Sequence, residues 1–287
     1  MRKGRLPPVH GVRGRGQRRR VYSQNFLPEG SHVIDDLISL SEVPEHALIV
    51  EIGAGRGVIT KKLAESGYQV LAYEIDDTQE KVLESSLKGM KDVRVVYRDV
   101  LGCSPPRQPF HVVGNIPFGV TSGILDWCLR SKFFVSATVL VQLEYARKRS
   151  GYAGRWSKRT VETWPWYSWT QLGTVPRKEF QPVPSVDAGV LRIARRDEAL
   201  VPAPSRPHYQ RLVALGFSGK GGTLYHSLAT QYPRDRVLTA LQRAGVRRGV
   251  VVAFVSPEQW ISIYWSLVGE RTGRAPRATR SPGHKPS

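Results

Sequence analysis

The sequence predicts an α/β protein with a doubly wound sheet, followed by a smaller helical domain. Between residues 47 and 144, short runs rich in β-branched residues alternate with helical stretches, which is the pattern of parallel strands joined by crossover helices. The strand runs are almost continuously apolar, as expected for a sheet that is covered on both faces. Beyond residue 206, only helical segments are predicted.

The elements follow one another in a regular order. Strands are predicted at 47–53, 68–75, 93–100, 110–115 and 135–144, with helices at 57–67, 77–88 and 121–131. Two later extended segments, 166–175 and 187–196, are expected to complete the sheet as an antiparallel pair, with Trp164, Trp166 and Trp169 in the core. After the Pro-rich segment 202–207, Gly and Pro separate predicted helices at 207–217, 222–231, 234–244 and 256–267.

Positive charge is concentrated at the two ends of the chain. The formal net charge is +19, and the acid-free segments 1–28 and 271–287 carry eight and five Lys or Arg residues. Segments of this composition cannot bury a core, so we expect a disordered basic arm at 1–20 and a disordered basic tail at 271–287. Between them we expect an α/β domain at 21–200 and a helical domain at 201–270. Basic arms suit a phosphate backbone, and a solubilising role is the alternative.

Several classes of protein are disfavoured by composition. No apolar run approaches the roughly 18 residues of a membrane span, and the basic N-terminus lacks the apolar segment of a secretory signal. Cys103 and Cys128 do not have the spacing of a zinc site. We therefore expect a cytoplasmic protein with two reduced thiols, no membrane association and no metal.

The segment VEIGAGRGVIT predicts a nucleoside site. A strand ends here, Gly53 and Gly55 form a tight turn, and a helix follows whose free amides face the ligand. Glu74 follows Gly53 by 21 residues, at the end of the next strand, where an acid can accept hydrogen bonds from ribose hydroxyls. The spacing G-x-G-x-G differs from the dinucleotide pattern, which disfavours NAD.

Polar residues also end the neighbouring strands. Glu51, Glu74, Asp99 and Asn115 fall at the carboxyl ends of four successive strands, where open α/β sheets bind ligands. A single acid at such a position is more often a turn or N-cap residue, but the repetition favours a site. An acidic rim suits a cationic cofactor such as the sulfonium S-adenosylmethionine (SAM).

A set of motifs then resembles a known family. In chain order they are SQNFL (23–27), EIGAGRG (51–57), EID (74–76), RDV (98–100), NIPF (115–118), VQLEYARKRSG (141–151) and VPRKEFQPVPSVDAGVLRI (175–193). Over about residues 21–270, this set strongly resembles the rRNA adenine N6-methyltransferases, specifically the erythromycin-resistance (Erm) type that acts on 23S rRNA. The resemblance implies a Rossmann-like SAM-dependent methyltransferase domain at 21–200 and a helical RNA-binding domain at 201–270.

The resemblance also implies roles for individual residues. The residues that would hold SAM are Gln24, Asn25, Leu27, Gly53, Gly55, Glu74, Ile75, Asp99, Val100 and Asn115, with Asp99 bound to the adenine of the cofactor. Asn115, Ile116, Pro117 and Phe118 would form the catalytic motif, and Phe180 would cover the target base from its other face. Many relatives have a tyrosine where this chain has Phe118, so stacking is kept but a hydroxyl contact is lost. Lysines that some relatives carry near 183–185 are Val183 and Ser185 here.

The catalytic motif suits methylation of an exocyclic amine. Because its lone pair is delocalised, N6 of adenine is a poor nucleophile, and acceptors aimed at its two N–H bonds free that lone pair. The Asn115 side-chain oxygen and the Ile116 carbonyl can supply two acceptors. Pro117 fixes the turn without a competing N–H, and Phe118 offers a ring face. Positioning then supplies most of the rate, so we expect no catalytic histidine, metal or covalent nucleophile.

A basic cluster is expected to contact RNA. It comprises Arg147, Lys148, Arg149, Arg155, Lys158 and Arg159, interleaved with Tyr145, Tyr152 and Trp156 and free of acids. RNA binding with some stacking is the functional interpretation, and a solvated helix face is the alternative.

The expected function is methyl transfer from SAM to N6 of an adenine in 23S rRNA, which would give macrolide resistance. We expect a monomer that acts before full ribosome assembly. Two alternatives remain at this point: a small-subunit (16S) rRNA adenine dimethyltransferase, whose members usually show N-L-P-Y, and a non-catalytic RNA-binding relative. Adenine-specific DNA methyltransferases carry D/N-P-P-Y, which is missing here.

Overall fold

The computed structural model describes residues 25–219 and 222–268. Contacts among them divide the chain into two compact units. We call residues 25–150 and 167–197 the sheet unit, and residues 151–166, 198–219 and 222–268 the helical unit. The expected arm at 1–20, the expected tail at 271–287 and the predicted cofactor residue Gln24 lie outside the described residues.

The sheet unit contains a seven-stranded sheet. Its strands are β1 Leu48–Ile52, β2 Gln69–Glu74, β3 Val93–Tyr97, β4 Phe110–Asn115, β5 Phe134–Gln142, β6 Tyr167–Val175 and β7 Ala188–Arg195. They lie in the order β3-β2-β1-β4-β5-β7-β6, and the first five are parallel to one another. β7 pairs antiparallel with both β5 and β6, which confirms the predicted antiparallel pair.

The register of the parallel strands brings their carboxyl ends to one edge. Ile52, the last residue of β1, pairs with Tyr73, so Glu74 lies just beyond the end of β1. All five residues of β1 are buried, as are all but the last residue of β4. Burial of successive side chains, which point to opposite faces, means that both faces of the sheet are covered. The predicted doubly wound α/β fold is confirmed.

Five helices belong to the sheet unit: α1 His32–Ser41, α2 Val58–Glu65, α3 Glu80–Ser86, α4 Thr121–Arg130 and α5 Leu143–Ser150. The sequence predicted α2, α3 and α4 but not the other two. In α1, the buried residues Val33, Ile34 and Leu37 have the spacing of an amphipathic helix, a signal that was missed. α5 begins immediately after β5, and the continuous apolar run had extended that strand to 144.

The helical unit contains α6 Lys158–Thr163, α7 Arg206–Gly216, α8 Leu224–Leu228, α9 Arg234–Arg243 and α10 Pro257–Leu267. The last four were predicted, whereas α6 was not. Residues 151–166 belong here because the Tyr209 hydroxyl donates to the Val161 carbonyl (3.1 Å) and the ring of Trp166 packs edge-on against Tyr209. The expectation of one continuous α/β domain over 21–200 is therefore corrected for this segment.

Close packing defines the interior of the helical unit. Trp260 of α10 is fully buried against Gly216, where any side chain on α7 would overlap the indole ring. α10 begins with a capping box, in which Ser256 and Gln259 bond each other's backbone N–H groups.

Trp166 and Trp169 are buried as predicted, and Trp164 is half-buried. Within the described ranges, no helix is long and apolar enough to cross a membrane.

Candidate active site

A pocket opens where the loops after β1, β2 and β4 meet. It contains about 740 Å³ of empty space, including the open solvent at its mouth. Its lining comes from the segments 25–27, 51–59, 74–75 and 115–118. Parallel α/β sheets bind ligands at this edge, which makes the pocket the candidate active site.

The glycine loop bends tightly beneath the pocket. Gly53 and Gly55 have φ of 84° and 56°, a region that favours glycine. The Gly53 N–H donates to the Tyr73 carbonyl (2.8 Å), which holds the turn against β2. A Cβ on Gly55 would lie 2.5 Å from the ring of Phe26, so this position also needs glycine for space. Glycine at these positions thus allows the tight turn and its close packing against Phe26.

Glu74 anchors the glycine loop and faces the pocket. Its side chain is buried, with Oε2 accepting from the Gly55 N–H (2.7 Å) and Oε1 from the Asp76 N–H (2.8 Å). Each carboxylate oxygen has a further lone pair that can accept from a ligand hydroxyl. The position that the sequence assigned to ribose binding therefore lies in the pocket lining with its carboxylate held in place.

Glu51 is a second buried carboxyl in the lining, and the sequence gave it no individual role. Burial raises the pKa of Glu51 from 4.5 to about 8; the hydrogen bond from the Thr60 hydroxyl opposes this shift, and the nearby Glu74 adds to it. The raised pKa favours the protonated, neutral form of this carboxyl. Its position at the end of a strand that is buried throughout could have signalled this burial.

Asn115 is oriented by a contact with a distant part of the chain. Its Nδ2 donates to the Asn25 carbonyl (2.6 Å), 90 residues away in sequence. Because the nitrogen side of the amide is engaged, the oxygen side is left to accept hydrogen bonds in the pocket. Ile116 is buried, Pro117 packs against Gly53, and Phe118 is half-buried in the lining. All four residues of the predicted catalytic motif belong to the pocket lining.

Several lining residues had no role assigned from the sequence, among them Phe26 and Arg56. Phe26 forms a backbone bridge with Gln181, in which each N–H donates to the other's carbonyl (2.9 and 2.8 Å). The Arg56 guanidinium lies over the Phe26 ring, 5.4 Å from its centroid. Phe26 belongs to the SQNFL motif, which was the available signal. Arg56 lies between Gly55 and Gly57, and the spacing of the glycines gave no signal for its side chain.

Asp99 and Val100 differ from expectation, because neither belongs to the pocket lining. Asp99 is exposed, and its Oδ1 accepts from the Leu101 N–H (2.9 Å) as the cap of a short 3₁₀ turn. Val100 is buried. The neighbouring predicted residue Ile75 does line the pocket, with a half-exposed side chain. Asp99 thus has the ordinary role of a strand-end acid here, and an additional role toward a cofactor stays a prediction.

Phe180 also differs from expectation. Its side chain is fully buried in the hydrophobic core together with Leu27, Val175 and Val190, and it is not part of the pocket lining. The Phe26–Gln181 backbone bridge holds the adjacent residue in place. In this structure Phe180 is therefore a core residue, and it does not cover the pocket.

The predicted basic cluster is divided between the two units. Arg147, Lys148 and Arg149 form the last turn of α5 in the sheet unit, where the Arg149 guanidinium lies 4.8 Å from the Tyr145 ring centroid. The remaining members, Arg155, Lys158 and Arg159, belong to the helical unit. Lys158 pairs with Glu162 one turn further along α6 (3.3 Å). RNA binding by the cluster stays a prediction.

The part of the chain that the structure describes holds no group of three or more His, Cys, Asp or Glu side chains suited to a metal ion. His111 is buried on β4, where Ser136 Oγ lies 2.7 Å from its Nδ1. Burial, aided by the nearby Arg192, lowers the pKa of His111 to about 4. This imidazole is neutral and is not part of the pocket lining.

The strand order and the position of the pocket define a Rossmann-like, doubly wound α/β domain with a ligand site at the carboxyl edge of its sheet. Residues 15–268 match the family model "Ribosomal RNA adenine dimethylase". The chain is 44% identical to an rRNA adenine N-6-methyltransferase of Streptomyces fradiae, over 90% of this chain and 82% of the relative. It is 43% identical to an enzyme of the same name from Saccharopolyspora erythraea, over 91% of this chain and 68% of the relative.

A solved structure agrees with these matches. The crystal structure of the 23S rRNA methyltransferase ErmE superposes with a TM-score of 0.80 at 43% identity, covering 85% of this chain and 99% of that one. The chain belongs to the ribosomal RNA adenine dimethylase family and is an rRNA adenine N6-methyltransferase of the Erm type.

Proposed function

We propose that this protein transfers methyl groups from SAM to N6 of an adenine in 23S rRNA, and that the modification confers macrolide resistance. The observation that carries the proposal is the Asn115 amide, whose nitrogen is engaged by the Asn25 carbonyl and whose oxygen is thereby left as an acceptor in the pocket. An acceptor fixed in this way suits an exocyclic amine. The similarity to ErmE supports 23S rRNA as the substrate.

The pocket residues fit SAM. Gly53 and Gly55 allow the tight turn that lines the pocket, and Glu74 offers a buried carboxylate to ribose hydroxyls. Asn25 and Leu27 line the same pocket and would contact the methionine part, while Ile75 would flank the adenine. When bound, SAM supplies an electrophilic methyl group on a cationic sulfur.

The chain's own groups then orient the amine. The Asn115 side-chain oxygen and the Ile116 carbonyl would accept hydrogen bonds from the two N–H groups of the adenine amine. The lone pair of the amine nitrogen would then point away from both acceptors. Phe118 would stack on the base from one side. No strong base is required, because the displaced group is a neutral thioether and the amine can lose its extra proton to solvent after transfer. Positioning supplies most of the rate.

The target base must be unpaired or extruded from its stack to enter such a pocket. The predicted basic residues of α5 and of residues 155–159 would bind the phosphate backbone of the RNA. We infer that the protein acts as a cytoplasmic monomer on 23S rRNA before the ribosome is fully assembled, when the target is accessible.

Labelling of purified rRNA tests the proposal. The protein is incubated with tritiated SAM and with deproteinised 23S or 16S rRNA, and primer extension then locates the modified nucleotide. We expect label in 23S rRNA alone, at one adenine. Label confined to 16S rRNA would assign the small-subunit activity instead, and label in neither would favour a non-catalytic RNA-binding protein.

Resistance is tested separately in a macrolide-sensitive bacterial strain. Expression of the chain should raise the minimal inhibitory concentration of erythromycin, whereas expression of Asn115→Ala at the same level should not. Equal resistance from both proteins would show that methylation is not its cause.

A further inference from the structure

We propose that the helical unit carries a surface on which unpaired bases of the RNA substrate stack. We call it the aromatic patch and define it by Tyr152, Arg155, Val251 and Phe254. The proposal rests on the proposed RNA methyltransferase function and adds Val251 and Phe254, which belong to no motif discussed above.

Exposure singles out these side chains. Nine large apolar side chains are exposed among the described residues, and the two aromatic ones are Tyr152 (57%) and Phe254 (49%). Val251, with 60% exposure, lies three residues before Phe254. Exposed aromatic rings are unfavourable in water, so their concentration in one unit indicates a binding surface.

Backbone and ring contacts bring the two aromatic segments together. The Trp156 N–H donates to the Ala253 carbonyl (2.7 Å), which ties the turn after α5 to the 3₁₀ turn Val252–Phe254. The Arg155 guanidinium lies 5.6 Å from the centroid of the Phe254 ring. All these residues belong to the helical unit, so the aromatic patch is a feature of that unit alone.

The turn that carries Tyr152 is unusual in its backbone. Gly151, Ala153 and Gly154 have φ of 78°, 53° and 72°, and Ala153 occupies the left-handed region despite its Cβ. The turn is held by the Arg155 N–H, which donates to the Tyr152 carbonyl (3.1 Å), and by the Trp156 ring, which packs on Gly151. Tyr152 is thus displayed on a fixed turn.

Charge makes a nucleic acid the partner that fits. There is no Asp or Glu between residues 145 and 161 or between residues 244 and 257. Arg155, Arg247 and Arg248 are exposed in these segments, and the Arg248 guanidinium packs 4.2 Å from the Tyr225 ring centroid. Aromatic faces interleaved with arginines bind unpaired bases and the phosphates between them. Because the family acts on ribosomal RNA, we assign the aromatic patch to single-stranded regions of the RNA substrate.

Leucine substitutions in the full chain test this assignment. Tyr152→Leu and Phe254→Leu, singly and combined, keep apolar bulk but remove the ring face. Phe133→Leu is the matched control, because Phe133 is a half-buried ring beneath Lys132 (5.0 Å) in the sheet unit. Dissociation constants are measured for 23S rRNA and for an unstructured oligoribonucleotide, and thermal melting checks folding.

We expect the double variant to raise both dissociation constants about tenfold or more, since each base–ring stack is a substantial part of single-strand affinity. The slope of log Kd against log salt should stay unchanged, because no phosphate contact is removed. In the methylation assay, KM for RNA should rise while kcat stays near wild type. Phe254→Tyr keeps a ring face and should bind RNA like the wild type. Phe133→Leu should not impair RNA binding.

The assignment is overturned if the double variant binds both RNAs like the wild type, or if Phe133→Leu weakens binding equally. If the wild type labels 23S rRNA and the double variant binds RNA normally, the aromatic patch is rejected and the proposed function stands. If the wild type labels no rRNA but the double variant still loses affinity for the oligoribonucleotide, the aromatic patch stands and the proposed function is rejected.

Discussion

The pocket of the sheet unit and the aromatic patch of the helical unit present opposite chemistry. In the pocket, the carboxyls of Glu51 and Glu74 are buried and each has a fixed hydrogen-bond partner. In the aromatic patch, Tyr152 and Phe254 are exposed beside arginines. Removing one partner of a buried hydrogen bond costs a large free energy, because the other partner stays buried and unsatisfied. Exposed contacts contribute less, because water and salt screen them. The effects of substitutions in the two regions should therefore differ in magnitude and in their dependence on salt.

The largest effect is expected at Asn115. Asn115→Ala removes the oriented acceptor and should lower kcat by about 10³-fold, by analogy with the loss of one oriented catalytic hydrogen bond. SAM affinity, measured by calorimetry, should stay nearly unchanged, because Asn115 is only one of ten residues expected to hold SAM and its amide oxygen is assigned to the target amine. Gln142→Ala is the control, because Gln142 is an exposed amide at the carboxyl end of the neighbouring strand β5. A large loss of SAM affinity in Asn115→Ala would mean that this side chain serves the cofactor.

Glu74 should dominate the affinity for the cofactor. Glu74→Gln removes the charge and places an amide N–H₂ near a backbone donor, so the Kd for SAM should rise about 10- to 100-fold. Calorimetry measures it. Asp77→Asn is the matched control, since Asp77 is an exposed carboxylate three residues further along the chain. Equal affinity in wild type and Glu74→Gln would remove Glu74 from the site.

Gly55 tests whether the loop needs space as well as backbone freedom. Gly55→Ala places a methyl group against Phe26 and should weaken SAM binding about tenfold, in addition to a stability loss of about 1 kcal/mol from its positive φ. Gly67→Ala is the control: Gly67 has φ of 85° but open space around it, so it should lose only stability. Calorimetry and thermal melting separate the two effects. Equal SAM affinity in the two variants would contradict the steric argument.

Glu51 should make stability depend on pH. Because its folded-state pKa is raised from 4.5 to about 8, the folded protein keeps a proton between those pH values that the unfolded chain loses. Its contribution to the free energy of unfolding therefore falls as pH rises through this window, by up to about 1.4 kcal/mol per pH unit. Urea unfolding at several pH values should show that Glu51→Gln removes this slope.

The control for the pH experiment is Glu80→Gln, an exposed carboxyl at the start of α3. This variant should keep the wild-type slope. If Glu51→Gln keeps it as well, the carboxyl of Glu51 is ionised in the folded protein at neutral pH.

The smallest effect is expected at the exposed basic surface. Lys158→Ala should reduce the slope of log Kd for RNA against log salt by about one, because one phosphate contact is lost. The change in Kd itself should be small, since Lys158 is exposed and already paired with Glu162. Filter binding at several salt concentrations measures both, with the exposed Lys88→Ala of the sheet unit as control. An unchanged slope would leave Lys158 as part of a solvated helix face.

The sequence by itself determined the seven strands, the glycine turn and the four polar strand ends. These features have local signals: an apolar run ended by glycine or a polar residue indicates a strand, although the run that formed β5 continued past Gln142 into α5. It also placed Glu74 and Asn115 at the same edge, because the carboxyl ends of parallel strands meet there. The family motifs added residue roles that composition and spacing alone do not carry.

The tertiary structure alone decided which partners these residues meet. Asn115 is oriented by a carbonyl 90 residues away, Gly55 is constrained by the ring of Phe26, and Phe180 lies in the core although its motif placed it over the base. Residues 151–166 join helices that come 40 or more residues later. Such contacts depend on how distant segments pack, and no local pattern encodes them, because packing is a property of the assembled core.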